Sequence, residues 1–128
     1  MTTYLVADDS LFARMLVKDA VKQIDEDAEF IESASGAGVL ESVEAGKHVD
    51  YFLLDINMEP PNGVDTASKL LELGQEKSRI TLITGNKSLD LQEQAKTLGI
   101  SYINKAISPT DVEAFVTRLK QFFDGGQQ

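Results

Sequence analysis

The stretch Tyr51-Phe52-Leu53-Leu54-Asp55 sets four apolar residues in a row and closes them with a carboxylate. A strand exposed on one face alternates; a short run that is apolar at every position is covered on both faces, as central strands of parallel sheets are. Three more runs end in polar or charged residues or in glycine. Tyr4-Leu5-Val6-Ala7 runs into Asp8-Asp9, Ile80-Thr81-Leu82-Ile83 into Thr84-Gly85, and Ile100-Ser101-Tyr102-Ile103 into Asn104-Lys105. Strand-like segments at 3–7, 29–34, 51–55, 79–84 and 100–104 alternate with helical patterns at 11–24, 37–46, 64–73, 88–98 and 109–123. Leu11, Phe12, Met15, Leu16, Ala20, Val21 and Ile24 follow a helical period. Ser10, Ser88 and Ser108 stand where N-caps belong, Pro109 suits a first helical position, and Gly74 and Gly99 fall just past helix ends. Such β–α repeats predict an α/β fold, (βα)5: a doubly wound, five-stranded parallel sheet with helices on both faces. The carboxyl ends of its strands form one edge, where ligands bind at the topological switch point. Asp8, Asp9, Asp55, Thr84 and Lys105 are therefore expected to converge there.

The chain has 128 residues, the size of one domain. Asp and Glu outnumber Lys and Arg by 21 to 12, a net charge of −9. That balance argues against nucleic acid, whose non-specific binding rests on phosphate neutralisation, and suits a cation or a basic protein surface. With no cysteine there is neither a disulfide framework nor a thiolate metal site. The start, Met1-Thr2-Thr3, lacks the basic and apolar stretches of a signal peptide, and no run reaches membrane-spanning length. The expectation is a cytoplasmic, monomeric protein away from the membrane.

Three carboxylates without His or Cys are hard oxygen ligands, matched to Mg²⁺ or Mn²⁺ rather than zinc. Two like charges about 4 Å apart repel by about 4 kcal/mol at an effective dielectric near 20. The cluster therefore needs a cation, or one member must hold a proton. Taken singly, each residue has a plain structural reading. Asp8 or Asp9 caps a helix, Asp55 ends a strand, Thr84 is a β-branched strand residue and Lys105 a surface lysine. Together, an ammonium and a hydroxyl facing a metal-binding carboxylate suit a phosphoryl group, whose outer oxygens need donors. Gly85 lets the backbone come close.

With these motifs the chain resembles the receiver domains of bacterial two-component response regulators, of the stand-alone chemotaxis type. The likeness runs from Tyr4 to Phe123 through Val6-Ala7-Asp8-Asp9-Ser10, Leu53-Leu54-Asp55-Ile56-Asn57-Met58, Gly63, Ile83-Thr84-Gly85 and Tyr102-Ile103-Asn104-Lys105. It implies a flavodoxin-like fold with strand order 2-1-3-4-5, a receiver domain over 1–124 and a short flexible tail over 125–128. The Gly-Gly ending equally suits a domain cut from a longer protein. The resemblance makes Asp55 the phosphoacceptor. Asp9, Asp55 and the Asn57 carbonyl bind Mg²⁺, and Asp8 assists through water. Lys105 pairs with a phosphoryl oxygen, Thr84 moves to bond another, and Tyr102 turns inward as it does. A histidine kinase or phosphotransfer protein would supply the phosphoryl group. Output would pass to a protein partner through the fourth helix, fifth strand and fifth helix. Such a domain catalyses its own phosphorylation and dephosphorylation without being an enzyme in the usual sense.

Two departures stand out. Ala106 follows Lys105 where the family usually has a cis proline; the unchanged loop length favours cis here too, against an intrinsic cost of about 3–4 kcal/mol. Met58-Glu59-Pro60-Pro61 replaces the usual Met-Pro, and Glu59 is either a solvated loop charge or an extra carboxylate at the pocket rim. His48, the only histidine, precedes the third strand, on the side away from the pocket, and reads as a loop residue. Two other function classes compete: a metal-dependent phosphohydrolase with an Asp nucleophile, and a phosphorylation-independent binding module. The first lacks its usual second acid, because Asn57 stands there. The intact Asp8, Asp9, Asp55, Thr84 and Lys105 set argues against the second.

Overall fold

The computed structural model is described over residues 1–85, 89–105 and 111–125. Five strands, β1 (Thr3–Ala7), β2 (Glu29–Ser33), β3 (Tyr51–Asp55), β4 (Ile80–Thr84) and β5 (Ser101–Asn104), alternate with α1 (Leu11–Ile24), α2 (Gly36–Glu44), α3 (Gly63–Glu72), α4 (Leu89–Leu98) and α5 (Val112–Phe123). All pair in parallel in the order β2-β1-β3-β4-β5. The expected α/β fold and strand order are both present. The ends of the elements before α5 shift by no more than two residues, the expected start of α5 at 109 lies outside the described residues, and one short 3-10 turn, Lys77–Arg79, leads into β4. The Ser88 and Ser108 caps, Pro109, and the Lys105–Ala106 bond expected to be cis lie outside the described residues.

Strand β3 shows why an unbroken apolar run means a central strand. Phe52 and Leu54 point into the core formed with Val39 of α2, Ala67 and Leu70 of α3, and Ala95 of α4. Leu53 points the other way, into the core with Val17 and Val21 of α1 and Phe115 and Leu119 of α5. Phe52, fully buried, contributes about 1.5–3 kcal/mol through burial alone. The edge strand β2 has no buried residue and carries Glu29 and Glu32 outward.

Local signals place the helices. Ser10 caps α1 by accepting from the Ala13 amide at 3.2 Å. Ser35 and Asn62 cap α2 and α3 in the same manner. Gly74 and Gly99 follow α3 and α4 with φ of 96° and 77°. Among the described residues no helix is long and apolar enough to cross a membrane. His48 is exposed and lies 2.8 Å from Asp50 just before β3, at the amino-terminal edge of the sheet, away from the acidic edge.

Candidate phosphoacceptor and metal site

At the carboxyl edge the register brings distant residues together. Ala7 pairs with Leu54 and Asp55 with Ile83, so Asp8, Asp9 and Asp55 emerge side by side. Asp8 and Asp55 are buried, while Asp9 is exposed. One oxygen from each of the three lies within 4.8 Å of the others. An octahedral Mg²⁺ with oxygens at about 2.0–2.1 Å sets its ligand oxygens about 3–4 Å apart, so the triad fits one hard cation after small side-chain adjustments.

Lys105 follows β5, and its Nζ donates to Asp8 Oδ2 at 2.7 Å and to Asp55 Oδ1 at 3.2 Å. Burial pushes the Asp55 carboxyl up, Lys105 pulls it down, and the Asp8 and Asp9 charges push it up again; the net result lies above the ordinary carboxylate range. Burial alone would lower the Lys105 ammonium, but its hydrogen bond to Asp8 and the charge of Asp55 more than offset this and hold it above the usual lysine value. The two shifts agree: without a metal, the site holds one ammonium against an excess of carboxylate.

Asp8 is fixed from its own turn. Its Oδ1 accepts from the Ser10 amide at 2.9 Å, and its carbonyl accepts from Arg14 Nη1 at 2.6 Å. Arg14 Nε in turn meets Glu32 at 2.9 Å, as does Lys18 Nζ. Arg14 thus pins the Asp8–Asp9 turn, a role that the sequence reading missed. The available signal was its place one helical turn past the Ser10 cap, where a long cation reaches back to the preceding loop.

Gly63 opens α3 hard against the end of β3. Its amide donates to the Ile56 carbonyl at 3.0 Å, and a β-carbon there would collide with the Asp55 carbonyl oxygen. Asn57 is exposed in the intervening loop, two residues past Asp55. Glu59 is exposed as well; its backbone, rather than its carboxylate, is engaged, bridging to Ser35 and accepting from the Gly36 amide at 3.0 Å. Thr84 is buried at the end of β4, with Gly85 exposed beyond it. Thr84 pairs with Asn104 and Leu82 with Tyr102. Residues two apart on a strand share a face, so Thr84, Asn104 and half-buried Tyr102 lie on the α4 side of the sheet. Asn104 Oδ1 is buried there with no hydrogen-bond partner among the described residues. Sequence reading did not single out Asn104 either.

The structure resembles solved receivers. The Mn²⁺-bound form of response regulator Rcp1 matches at TM-score 0.82 and 18% identity, over 96% of this chain and 94% of that one. Vibrio cholerae chemotaxis protein CheY4 matches at TM-score 0.78 and 22% identity, over 95% and 98%. The phosphorylated cyanobacterial phytochrome response regulator RcpA matches at TM-score 0.82 and 15% identity, over 94% and 92%. At these identities the likeness establishes the fold. No curated protein matches the chain. The response regulator receiver domain model, however, covers residues 4–117, nearly the whole chain and every strand of the sheet. The protein belongs to the response regulator receiver domains, signalling modules switched by phosphorylation of an aspartate.

Proposed function

We propose that Asp55 is the phosphoacceptor, and that Asp8, Asp9, Asp55 and the Asn57 backbone carbonyl hold Mg²⁺, with Mn²⁺ as a substitute. The observation that carries this reading is the Lys105 ammonium set against Asp55 at 3.2 Å beside three clustered carboxylates. An Asp55 oxygen attacks phosphorus, and the bond from phosphorus to the donor atom breaks. Its electron pair leaves with the donor, a histidine nitrogen or an acyl oxygen. The bound cation supplies charge neutralisation for the phosphoryl oxygens. Lys105 turns from Asp55 to a phosphoryl oxygen, and Thr84 moves to bond another. Water attacking the same phosphorus later restores the carboxylate, so the domain catalyses both its labelling and its reset. Incubation with acetyl phosphate and Mg²⁺ is expected to incorporate one phosphoryl group per chain; sustained turnover of a small phosphate ester such as p-nitrophenyl phosphate, without a labelled protein, would overturn the reading in favour of a hydrolase.

The partners follow from the rim. Leu11, Phe12 and Met15 are exposed on α1 beside the Asp8–Asp9 turn. A histidine kinase or phosphotransfer protein that brings its histidine to Asp55 covers this apolar surface. Output runs through the α4–β5–α5 face, where Lys96, Tyr102, Arg118 and Phe122 line a groove of about 430 Å³. This reading puts the protein in the cytoplasm with its donor kinase.

Mg²⁺ is expected to stabilise the domain because it relieves repulsion within the acidic triad. At a hundredfold excess over Kd, linkage gives about 2.7 kcal/mol, a Tm rise of roughly 10 °C for a domain of this size. Asp9→Asn removes most of that rise. An unchanged Mg²⁺ response in thermal unfolding of Asp9→Asn would refute the ligand assignment.

Thr84 and Tyr102 lie on one face of the sheet, so inward movement of Thr84 opens space that Tyr102 fills. Thr84→Ala is expected to accept phosphate on Asp55 but respond weakly at α4. Shifting a two-state equilibrium from 1:99 to 99:1 takes about 5.5 kcal/mol of differential binding, and the charge-assisted bonds to the phosphoryl group supply it only when Thr84 takes part. NMR shifts on α4 with beryllofluoride check this; a full wild-type response in Thr84→Ala refutes the route.

A further inference from the structure

Helices α2 and α3 leave between them a groove of about 790 Å³. Its apolar wall is made by Leu40, Pro60, Pro61 and Leu73. Leu73, just past the end of α3, keeps 49% of its surface exposed. Glu41 and Glu44 on α2 and Asp65 and Glu72 on α3 form the rim, with Lys69 as its one cation. None of these four acids is in an ion pair among the described residues.

The wall is preformed. The Pro60-Pro61 segment is tied to α3 by the Thr66 hydroxyl, which donates to the Pro61 carbonyl at 3.0 Å. Glu59 ties it to the start of α2 through its bridge to Ser35. Gly36 is required at that joint, since a β-carbon there would collide with the Pro61 carbonyl and the Thr66 hydroxyl. A rigid apolar groove loses little entropy on binding, and an unneutralised acidic rim selects its occupant by charge.

We propose that the α2–α3 groove docks a basic amphipathic segment of a partner protein, with apolar side chains against Leu40, Pro61 and Leu73 and Lys or Arg side chains against Glu41, Glu44 and Glu72. A second copy of this chain is disfavoured as the occupant because it brings a net charge of −9 to an acidic rim. The surface is separate from the α4–β5–α5 face and needs neither Asp55 nor a metal, so its test stands or falls apart from the phosphoryl reading.

The probe is a fluorescent helical peptide with Leu on one face and Lys on the other, beside a control with every Lys replaced by Glu. Anisotropy on the full chain is expected to show binding of the Lys peptide alone. Amide shifts are expected to centre on Leu40, Glu41, Glu72 and Leu73. The double reversal Glu41→Lys with Glu72→Lys is expected to weaken binding about tenfold or more, as charge complementarity predicts. Both residues are exposed, and far-ultraviolet circular dichroism with thermal unfolding serves as the check that the fold is kept. The matched reversal Asp19→Lys with Glu113→Lys, on α1 and α5 across the sheet from the groove, should leave binding intact. Equal weakening by the two reversals would mean attraction to net charge alone and would overturn the proposal. So would shifts centred on another face, or binding that survives the groove reversal.

Discussion

Asp55→Asn is expected to abolish phosphoryl incorporation from acetyl phosphate and, in the same protein, to raise the stability of the metal-free domain at neutral pH. The first effect is complete because the amide offers no nucleophilic carboxylate oxygen and no other acid occupies its place. Asp8 is buried and held by Lys105, Ser10 and Arg14, and Asp9 is the exposed member at the rim. The second effect follows from linkage. Burial, with the Asp8 and Asp9 charges beside it, raises the Asp55 carboxyl in the folded state above its ordinary value despite Lys105. Between the unfolded and folded values the native state binds more protons, so the stability of the metal-free wild type falls as pH rises through that window. The variant has no such proton to lose. Its advantage is therefore greatest at neutral pH and vanishes in acid below the ordinary carboxylate range. Phos-tag gels report the first effect and thermal unfolding against pH the second. Stoichiometric labelling that persists in Asp55→Asn would move the acceptor elsewhere. A stability difference that does not depend on pH would show that burial and like charge do not govern this carboxyl.

The strands were legible because their signal is coarse and strong. Tyr51 to Leu54 is apolar at every position since both faces of β3 are covered, and no local preference competes with that burial. The edge was legible for the same reason: once the strands are parallel, their last residues share one side, and Asp8, Asp55, Thr84 and Lys105 have nowhere else to go. What escaped is what depends on side chains reaching between elements. Arg14 on α1 bonds the carbonyl of Asp8 and the carboxylate of Glu32, a contact set by the angle of the first helix rather than by any motif. Ser35 and Asn62 cap helices that open on Gly36 and Gly63, so their role shows in the backbone amides they accept from rather than in an apolar period. The Glu59-Pro60-Pro61 departure was visible, but its meaning was not. Its carboxylate lies outside the acidic triad, and its backbone builds a wall of the α2–α3 groove. Lys105 was expected opposite Asp55, and its shorter contact is with Asp8. Sequence names the charges that meet at an edge; which pair lies nearest is decided by fractions of an ångström in the turns.

Lys105→Met is expected to slow phosphorylation of Asp55 by about 10²–10³, the usual loss when one preorganised donor to a developing anion is removed. It is also expected to destabilise the metal-free domain at neutral pH. The ammonium is 16% exposed and bridges two carboxylates that are 4% and 9% exposed. Removing one partner of a buried pair costs up to about 3–5 kcal/mol when the other cannot respond. Here Asp55 can respond by taking up a proton, so the loss is smaller and depends on pH. With Lys105 gone, nothing opposes burial and the Asp8 charge, and the folded carboxyl rises further above its unfolded value. By the same linkage, stability is kept below the ordinary carboxylate range and lost as pH rises toward neutral. Mg²⁺ should restore much of it, because a cation replaces the missing charge at the same oxygens, while the phosphorylation defect persists because the ammonium that faces one phosphoryl oxygen is gone. That separation is the diagnostic result: thermal unfolding of the variant recovers with Mg²⁺ and its labelling rate does not. If labelling recovers together with stability, Lys105 serves only to hold the empty acidic site together. If neither changes from wild type, the contacts to Asp8 and Asp55 carry no energetic weight.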